Sequence, residues 1–440
     1  MSIYRPSDPI AYLTGEYPKV SHTFIHREVQ ALRKRGLTIQ TFSIRRAAAA
    51  DLVADQRDEE RDTFYVLENC RRLGTLAGAH LRQLFAGPKV YLDTLCLAWR
   101  MRSQGIKAAS YQLFYFAEAV VLAEELKRRG VVHLHNHFGD SSCNVAILAS
   151  ALCGIPFSFT EHGPNVFFEA KRWRLDEKVA RAKFVVAVSH FCRSQLMLFS
   201  RQQDWNKISV VHCGVELERY EQGQKPGFNK HVLFVGRLEP VKGVAVLLEA
   251  MAKVRSRHPD AQLTIVGSGS CRAELEAQAH SLGLTQISSF VGNKTQAEVA
   301  DLLATADLLV LPSFAEGLPV VLMEAMASGK PVIATRVAGV QELLEERVSG
   351  FAVPPGDAAS LAERIDQVLT NEVLSKKMGD AGREIVEREF NIDSEALLLA
   401  KMFAKGAAEI RARPNPPAPK STAGDNAAPT TMRASLPRRA

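Results

Sequence analysis

The chain has few cysteines for its length, and their placement argues against a disulfide framework. Seven cysteines are scattered along 440 residues, and no two of them form a C-x-x-C pair. Small secreted domains that depend on disulfides are much richer in cysteine, and paired spacings are typical of zinc or redox sites. We therefore expect buried thiols in a protein of a reducing compartment.

Long apolar runs and strongly basic segments are also missing. No apolar stretch reaches 18 residues, which predicts no membrane-spanning helix, and the charges at Arg5, Asp8, Glu16 and Lys19 argue against a secretory signal. The net charge is +7, but the tail from Arg413 onward contributes +4 of it. No basic repeat interleaved with aromatic residues is present. We therefore expect a cytoplasmic protein without a nucleic-acid partner.

Two cofactor patterns are incomplete. No D-x-D sequence of the kind that binds metal ions is evident. Gly267-Ser-Gly269 ends a predicted strand, but Arg272 stands where the third glycine of G-x-G-x-x-G belongs. The sequence therefore disfavours a dinucleotide-dependent oxidoreductase, and we expect neither a resident cofactor nor a metal.

Short β-branched runs alternate with helical patterns through most of the chain. This alternation predicts parallel sheets with helices on both faces, and ligands in such sheets bind at the carboxyl ends of the strands. The predicted strands are Val131–Leu134, Phe157–Thr160, Phe184–Val188, Ile208–Val211, Val232–Gly236, Leu263–Gly267, Ile287–Val291, Leu308–Leu311 and Val332–Ala334. The helices predicted in the second half are Gly243–Arg257, Arg272–Leu282, Thr295–Thr305 and Pro319–Ser328.

Two glutamates eight residues apart form the densest constellation. Glu316 precedes a predicted helix, and Glu324 lies inside it, about 7 Å along the axis from Pro319. Pro319 suits a first helical position, and the free N–H groups of Gly317 and Leu318 favour an anion at the helix start. An anion site flanked by two carboxylates suits a diphosphate joined to polyols, such as a sugar nucleotide.

This E-x7-E string with its Gly-Leu-Pro turn resembles the donor-site signature of the family 4 retaining glycosyltransferases. The resemblance implies that Glu324 holds the ribose hydroxyls of a nucleoside diphosphate sugar and that Glu316 contacts the donor sugar. The backbone near Gly317 and Leu318 would meet the phosphate. The resemblance also implies an α/β fold of the GT-B type, in which two doubly wound Rossmann-like domains face each other across a cleft and a C-terminal helix crosses back to the first domain.

A basic loop after the strand at 232–236 carries the second constellation. The guanidinium group of Arg237 can donate two parallel hydrogen bonds to phosphate oxygens, and the flexible side chain of Lys242 supplies a positive charge. The family has a G-R-L…K-G element here, which implies that both side chains bind the donor diphosphate. Turns at Gly269 and Asn293 resemble those that the family places beside the nucleotide, so both residues are assigned to the donor site.

The first half carries weaker signals. Thr160-Glu-His162-Gly resembles the family's T-x-H-G element, which implies that His162 faces the donor and acts beside Glu316, Arg237 and Lys242; a histidine that is bonded locally is the alternative.

His133, His135 and His137 would share one face of a strand. Side chains on one short strand diverge, which disfavours a metal site, and a core role stays open.

The H-x-H-F element and the N-terminal segment resemble exopolysaccharide transferases. The H-x-H-F resemblance suggests that His135 and His137 lie on the acceptor side. Tyr17 to Ile25 resembles the opening of transferases that build colanic acid-like polymers, although His22 replaces their usual glutamate. On this basis Ser21 and Thr23 are expected to cap the following helix and to lie on the acceptor side.

Four regions are predicted. They are an acceptor-side Rossmann-like domain (residues 1–222), a nucleotide-sugar donor domain (223–386), a helix that packs back on the first domain (387–412) and a disordered tail (413–440). Basic, amphipathic helices between Arg61 and Lys107 suggest contact with anionic lipid on the cytoplasmic face of the inner membrane; ordinary helices packed on the first domain are the alternative.

The sequence thus predicts a retaining, metal-independent glycosyltransferase. It would move a sugar from a nucleoside diphosphate to a saccharide acceptor, lipid-linked in our prediction, during synthesis of an exopolysaccharide or a related glycan. A sugar-nucleotide epimerase of the same architecture and a non-catalytic sugar-nucleotide binding subunit remain the alternatives.

Overall fold

The structure, a computed structural model, describes residues 8–19, 22–47, 56–220 and 227–411, with only the backbone described for 406–411. The strands are β1 (Ile10–Glu16), β2 (Ile39–Arg45), β3 (Phe64–Tyr65), β4 (His133–His137), β5 (Phe157–Glu161), β6 (Val185–Ala187), β7 (Ile208–Val210), β8 (His231–Val235), β9 (Gln262–Val266), β10 (Ser288–Gly292), β11 (Leu308–Leu311), β12 (Val332–Thr335) and β13 (Gly350–Val353).

The α-helices connect these strands. They are α1 (Thr23–Lys34), α2 (Gln56–Asp62), α3 (Val66–Cys70), α4 (Leu73–Ala86), α5 (Pro88–Arg100), α6 (Ile106–Arg128), α7 (Ser141–Cys153), α8 (Pro164–Phe168), α9 (Leu175–Arg181), α10 (His190–Leu198), α11 (Val244–Val254), α12 (Arg272–Ser281), α13 (Gln296–Thr305), α14 (Val320–Ala327), α15 (Val340–Leu343), α16 (Ala358–Thr370), α17 (Glu372–Glu389) and α18 (Ile392–Arg411). Within the described ranges, none of these helices is both long and apolar enough to cross a bilayer.

Two parallel sheets form the framework. The first has the order β3-β2-β1-β4-β5-β6-β7, and the second has the order β10-β9-β8-β11-β12-β13. In each sheet the first three strands in the chain add successively towards one edge. The next strand then pairs with the first one on its other side, and the remaining strands add successively towards the opposite edge. The direction changes between β1 and β4 in the first sheet and between β8 and β11 in the second. Loops diverge at such a switch point and leave a crevice at the carboxyl ends of the strands.

The predicted fold class is confirmed, since both halves are doubly wound α/β units. The strand predicted at Val131–Leu134 is wrong in its bounds, because the strand is His133–His137. Its histidines are buried, and His133 and His135 find hydrogen-bond partners in the hydroxyls of the neighbouring strand. Strands β1, β2, β3 and β13 are absent from the sequence prediction. β3 has only two residues, and β1 runs directly into the Tyr17 motif.

Two predicted helix starts are also corrected. Pro319 is the N-cap of α14, with an extended backbone, and not its first helical residue. Thr23 is the first residue of α1, whose N-cap is His22 without a side-chain cap bond. The other proposed cap, Ser21, lies outside the described residues, as does the tail predicted at 413–440.

The last helix returns to the first sheet. Helix α18 packs against α1, and its buried Leu399 and Phe403 join a core cluster with Tyr12 of β1 and Val29 of α1. Helix α18 therefore packs back on the first unit, as the fold class predicts. The first sheet lies inside residues 1–222 and the second inside 223–386; the domain boundaries themselves stay a prediction.

Candidate active site

The two switch points open onto one cavity of about 460 Å³ between the sheets. Its volume is in the range of small-ligand sites. Loops from both units build its wall: the segment after β1, the loop after β8, the turn after β10 and the loop from β11 into α14. The wall residues that matter below are Lys19, Thr23, Phe24, Arg237, Lys242, Asn293, Gln296, Leu318, Glu316 and Glu324.

A charged pair sits on the second-unit side of this cavity. Lys242 Nζ donates to Glu316 Oε1 at 2.6 Å, and both side chains are largely shielded from solvent. Arg237 comes from the same loop as Lys242 and lines the same wall. The predicted grouping of Arg237, Lys242 and Glu316 is therefore present as a spatial cluster. The two cations form a positive surface beside a carboxylate that can accept hydroxyl groups.

The start of α14 lies next to this cluster. The buried strand β11 leads into the Glu316 loop, and the helix begins at Val320 after the Pro319 cap. Leu318, Pro319 and Val320 line the cavity. The N–H groups of a first helical turn have no partners within the helix and carry the positive end of its dipole. The cavity therefore combines backbone donors with two cationic side chains, as an anionic ligand requires.

Glu324 has a partner from the other unit that the sequence did not predict. Arg27 Nη2 of α1 donates to Glu324 Oε1 at 2.5 Å, and both residues are buried. With its amide oriented to satisfy the hydrogen bonds, Gln296 accepts from the same Arg27 nitrogen at 3.0 Å. Burial is the largest single effect on Arg27 and would lower its pKa, but the charge and hydrogen bond of Glu324 together with the nearby Tyr220 and Glu216 outweigh it, and the pKa is raised.

Arg27 was missed because an arginine inside an amphipathic helix usually points into solvent. The one available signal was its spacing, because Arg27 lies one helical turn after Thr23 and therefore shares its face. Arg27 Nη2 also approaches Thr23 Oγ1 at 3.4 Å. Thr23, predicted on the acceptor side, lines the common cavity together with Phe24 and Lys19.

The His162 ring is bonded within the first unit. Its Nε2 lies 2.8 Å from His137 Nδ1, and its Nδ1 lies 3.6 Å from Cys213 Sγ. Burial lowers the pKa of His162 well below its usual value, so the ring is neutral. The residue is not part of the cavity wall in this structure. The arrangement matches the locally bonded alternative, and a direct contact between His162 and a donor stays a prediction.

Two predicted donor-site glycines act through close packing. A Cβ atom on Gly317 would lie 1.9 Å from the carbonyl oxygen of His162, so only glycine lets the Glu316 loop approach the first unit this closely. A Cβ on Gly269 would lie 2.4 Å from the Leu238 oxygen. Neither glycine lines the cavity, in contrast to Leu318 and Asn293. The two glycines therefore contribute to the predicted donor site by allowing the close backbone packing around it, and not by lining the cavity themselves.

The histidines of β4 lie inside the first sheet and not on the cavity wall. His135 contacts the hydroxyls of Ser158 and Thr160 at 2.7 and 2.9 Å. Glu28 of α1 brings its carboxylate near His135 and His137, and one candidate ligand atom from each lies within 4.8 Å of the others. The sequence did not indicate that Glu28 lies here. Because His135 and Glu28 already bond to neighbouring hydroxyls, the structure favours a polar core cluster, and the absence of a metal stays an expectation.

These buried histidines predict acid sensitivity. Burial lowers the pKa of His133 to about 3 and that of His135 well below its usual value. The unfolded chain takes up protons below pH 6.5 while the folded chain does not. The contribution of these histidines to the free energy of unfolding is therefore fully present above pH 6.5. As the pH falls below that value, the free energy of unfolding decreases by about 1.4 kcal/mol per pH unit for each such histidine.

Thermal unfolding midpoints at pH 7.5, 6.5 and 5.5 measure this loss. In the variant His133→Asn, the fall between pH 6.5 and 5.5 should be smaller than in the wild type. The exposed His280 on α12 provides the control, because His280→Gln should leave the pH dependence unchanged. An equal dependence in His133→Asn and the wild type would contradict the prediction.

Comparison with known proteins gives consistent matches. Residues 218–385 match the family described as glycosyl transferases group 1, and residues 99–219 match glycosyltransferase family 4. The amylovoran biosynthesis glycosyltransferase AmsK of Erwinia amylovora is 26% identical over 415 residues, which cover 87% of this chain and 96% of that protein. The putative teichuronic acid biosynthesis glycosyltransferase TuaC of Bacillus subtilis is 28% identical over 61% of this chain and 69% of its own length.

Solved structures share the fold. Anabaena Alr3699/HepE in complex with UDP and glucose superposes with a TM-score of 0.70 at 18% identity, over 90% of this chain and all of that one. Sucrose-phosphate synthase from Thermosynechococcus elongatus also gives a TM-score of 0.70, at 23% identity, over 91% of this chain and all of that one. At these identities the likeness shows the fold alone, which is the two-unit GT-B architecture.

Proposed function

We propose that this glycosyltransferase of the GT-B type moves a sugar from a nucleoside diphosphate donor to a hydroxyl of a saccharide acceptor, with retention of anomeric configuration. One observation carries the proposal. Arg237, Lys242, Glu316 and Glu324 line a single cavity where the switch points of both sheets meet. The names of AmsK and TuaC support a role in the synthesis of an exopolysaccharide or a related glycan.

The chemistry requires that the departing diphosphate be stabilised. Arg237, Lys242 and the first turn of α14 supply positive potential on the side of the cavity where charge would develop. Lys242 is held at 2.6 Å by Glu316, so its ammonium group is positioned before substrate arrives. In the proposed mechanism the acceptor attacks from the face that the diphosphate leaves, and Glu316 orients sugar hydroxyls without forming a covalent bond. These cations would take the electrostatic role of a metal ion, so we propose a metal-independent reaction.

Glu324 would hold the ribose hydroxyls in this arrangement. Its Oε1 is engaged by Arg27, which fixes the carboxylate at the inner end of the cavity. Donor recognition would then depend on both units, because α1 orients a side chain of α14.

A thermal-shift screen with UDP-, GDP- and ADP-glucose tests donor binding. HepE was solved with UDP and glucose, so the UDP-sugar is the first donor to try. A ligand at 100 times its Kd stabilises the folded state by about 2.7 kcal/mol. Donor turnover is then measured with and without saccharide acceptors. Turnover that needs an acceptor supports the transferase, conversion without one indicates an epimerase, and binding without turnover indicates a non-catalytic subunit.

The variant Glu316→Ala, measured in the same thermal-shift and turnover assays, tests whether the proposed site is responsible for transfer. It should retain the nucleotide-induced shift and lose turnover, because Glu316 is assigned to the sugar and not to the nucleotide. Full activity in this variant would contradict the proposed site.

We also propose peripheral contact with an anionic membrane surface, on the cytoplasmic face. Helices α4, α5 and the start of α6 expose large apolar side chains among basic ones, a combination typical of interfacial helices. The exposed apolar residues are Leu73, Leu81, Phe85, Leu92, Trp99, Ile106, Leu113 and Phe114. The basic residues in or beside these helices are Arg71, Arg72, Arg82, Lys89, Arg100, Arg102 and Lys107. Such contact would bring the protein to a lipid-linked acceptor.

Liposome flotation checks the membrane proposal. The wild type should float with vesicles that contain phosphatidylglycerol and not with phosphatidylcholine alone, and Phe85→Asp should lose most of the binding. Phe85 is 80% exposed, and Val373 on α17, at 79%, provides a matched control. Val373→Asp should float as the wild type does. Equal flotation with both lipids, or by all variants, would overturn the proposal.

A further inference from the structure

The loop that follows β4 contains a backbone conformation that is costly for its residue. Phe138 has a φ of 71°, in the left-handed region that favours glycine and is a genuine outlier for a bulky side chain. Among the described residues, five other than glycine have a positive φ, and Phe138 is the one aromatic member. Such a conformation persists only where the surrounding structure holds it, and it is typical of functional sites.

A buried amide holds the backbone of Phe138 itself. Asn136 Nδ2 donates to the carbonyl oxygens of His137 and Phe138 at 3.0 and 2.7 Å, and the N–H of Phe138 donates to the carbonyl oxygen of Thr160 at 2.8 Å. The side-chain oxygen of Asn136 is buried, and no described group donates to it. A buried acceptor without a donor is unfavourable, so the loop is held in this shape at a cost to stability.

Two fully buried charged side chains hold the residues that follow. Lys178 Nζ donates to the carbonyl oxygens of Gly139 and Asp140 at 2.8 and 2.9 Å. Glu161 accepts from the N–H of Gly139 at 2.8 Å and from the N–H of His162 at 3.0 Å. Buried charges are unfavourable unless they are bonded in this way. The Glu161 carboxylate therefore fixes the loop after β4 to the turn that carries His162.

This backbone places the Phe138 ring among other aromatic rings at the edge of the first unit. Its centroid lies 4.8 Å from that of His162 and 6.4 Å from that of Phe24. The Phe24 and His162 rings are themselves 4.6 Å apart, and His162 also stacks on His137 at 5.1 Å. Aromatic rings at these distances attract each other. The Phe138 ring therefore restrains both Phe24 and His162.

These two neighbours meet the proposed donor site in different ways. Phe24 lines the cavity between the sheets. The carbonyl oxygen of His162 packs against Gly317, where an added Cβ atom would lie only 1.9 Å from that oxygen. Gly317 directly follows Glu316, so a shift of the His162 turn would move the carboxylate that is assigned to the donor sugar.

We propose that Phe138 is a positioning residue for transfer. Its strained backbone aims the ring at Phe24 and His162, and the His162 turn then sets how closely the Glu316 loop approaches the first unit. A ring that only filled space would be better placed on a relaxed backbone, because the strain lowers stability. The proposal rests on the proposed transferase function and adds the group that positions the sugar-binding side of its site.

Two substitutions that both remove the ring test the strain. Phe138→Ala keeps a side chain in the left-handed region, and Phe138→Gly releases it, so the glycine variant should unfold at the higher temperature. The exposed Arg347 provides a matched control, because its φ is 65° and it lies outside the cavity wall. Arg347→Gly should likewise unfold at a higher temperature than Arg347→Ala. An alanine variant of Phe138 that is as stable as the glycine variant would overturn the proposal.

Hydrogen exchange followed by mass spectrometry tests the positioning without any need for turnover. In both Phe138 variants, the peptides that contain His162 and the Glu316 loop should exchange faster than in the wild type, because the contact between the two units loosens. The two Arg347 variants should exchange as the wild type does in these peptides. Wild-type exchange of the Glu316 loop in both Phe138 variants would overturn the proposal.

Steady-state kinetics then connect the ring to transfer. Both Phe138 variants should lower kcat about tenfold or more, and the nucleotide-induced thermal shift should stay as in the wild type, because the nucleotide is assigned to the second unit. A ring that served stability alone would lower the unfolding temperature and leave kcat of the folded protein unchanged, which would overturn the proposal. The Arg347 variants should keep wild-type kcat. A wild type without acceptor-dependent turnover would count against the transferase function instead, and the exchange measurement would still decide the positioning.

Discussion

Replacing Lys242 with methionine is expected to lower kcat by about 100- to 1,000-fold. Lys242 lies at the wall of the central cavity beside Arg237 and is held by Glu316 at 2.6 Å. Its charge would act mainly as the diphosphate departs, and removing one such preorganised group typically has an effect of this size. Methionine keeps the length of the apolar stem and removes the ammonium group together with its bond to Glu316.

Steady-state kinetics with the donor identified in the thermal-shift screen measure this effect. The loss should appear in kcat and in kcat/KM alike, because the interaction is made in the transition state. The exposed Lys253 of α11 offers a control, and Lys253→Met should retain wild-type rates. A rise in KM with an unchanged kcat would show that Lys242 only binds the donor, and the assigned role would then be wrong.

Replacing Glu324 with alanine is expected to abolish the nucleotide-induced shift and to destabilise the protein as well. The substitution removes the proposed ribose ligand, and it leaves Arg27 buried without the carboxylate that it contacts at 2.5 Å. Breaking a buried pair by removing one partner costs about 3–5 kcal/mol. The thermal midpoint of the free protein should therefore fall in parallel with the loss of nucleotide binding.

A double variant separates these two effects. In Arg27→Met/Glu324→Leu both charges are replaced by apolar side chains, so much of the stability should return, as it does for other buried pairs replaced together. Nucleotide binding should stay absent, since the ribose ligand is still missing. A full nucleotide shift in either variant would contradict the role of Glu324. Equal instability of the single and double variants would show that Arg27 and Glu324 are not energetically coupled.

Much of the second unit could be predicted because its signals are local. Arg237 and Lys242 follow one strand, Glu316 and Glu324 flank the start of one helix, and parallel strands bring their carboxyl ends to one edge. The predicted cluster of Arg237, Lys242 and Glu316 therefore appears in the structure. Asn293 and Leu318 also line the cavity, while Gly269 packs under it against Leu238.

The first unit was less predictable because its important contacts join distant parts of the chain. Arg27 meets Glu324 across 297 positions, and His162 turns to His137 and Cys213 within its own unit. The direction of an arginine or histidine side chain depends on which element packs over it. A short sequence motif around the arginine or histidine does not show which distant helix or strand packs over its side chain.

The sequence by itself determined the α/β class, the two parallel sheets and the local pairing of cationic and acidic residues around one helix start. Periodicity and spacing suffice for these, because they arise within a few tens of residues. Only the tertiary structure decided that α1 supplies Arg27 to Glu324, that Glu28 joins the histidines of β4, and that the Phe138 ring packs on Phe24 and His162. Those contacts depend on how the units and helices pack, and burial then sets which charges must be paired.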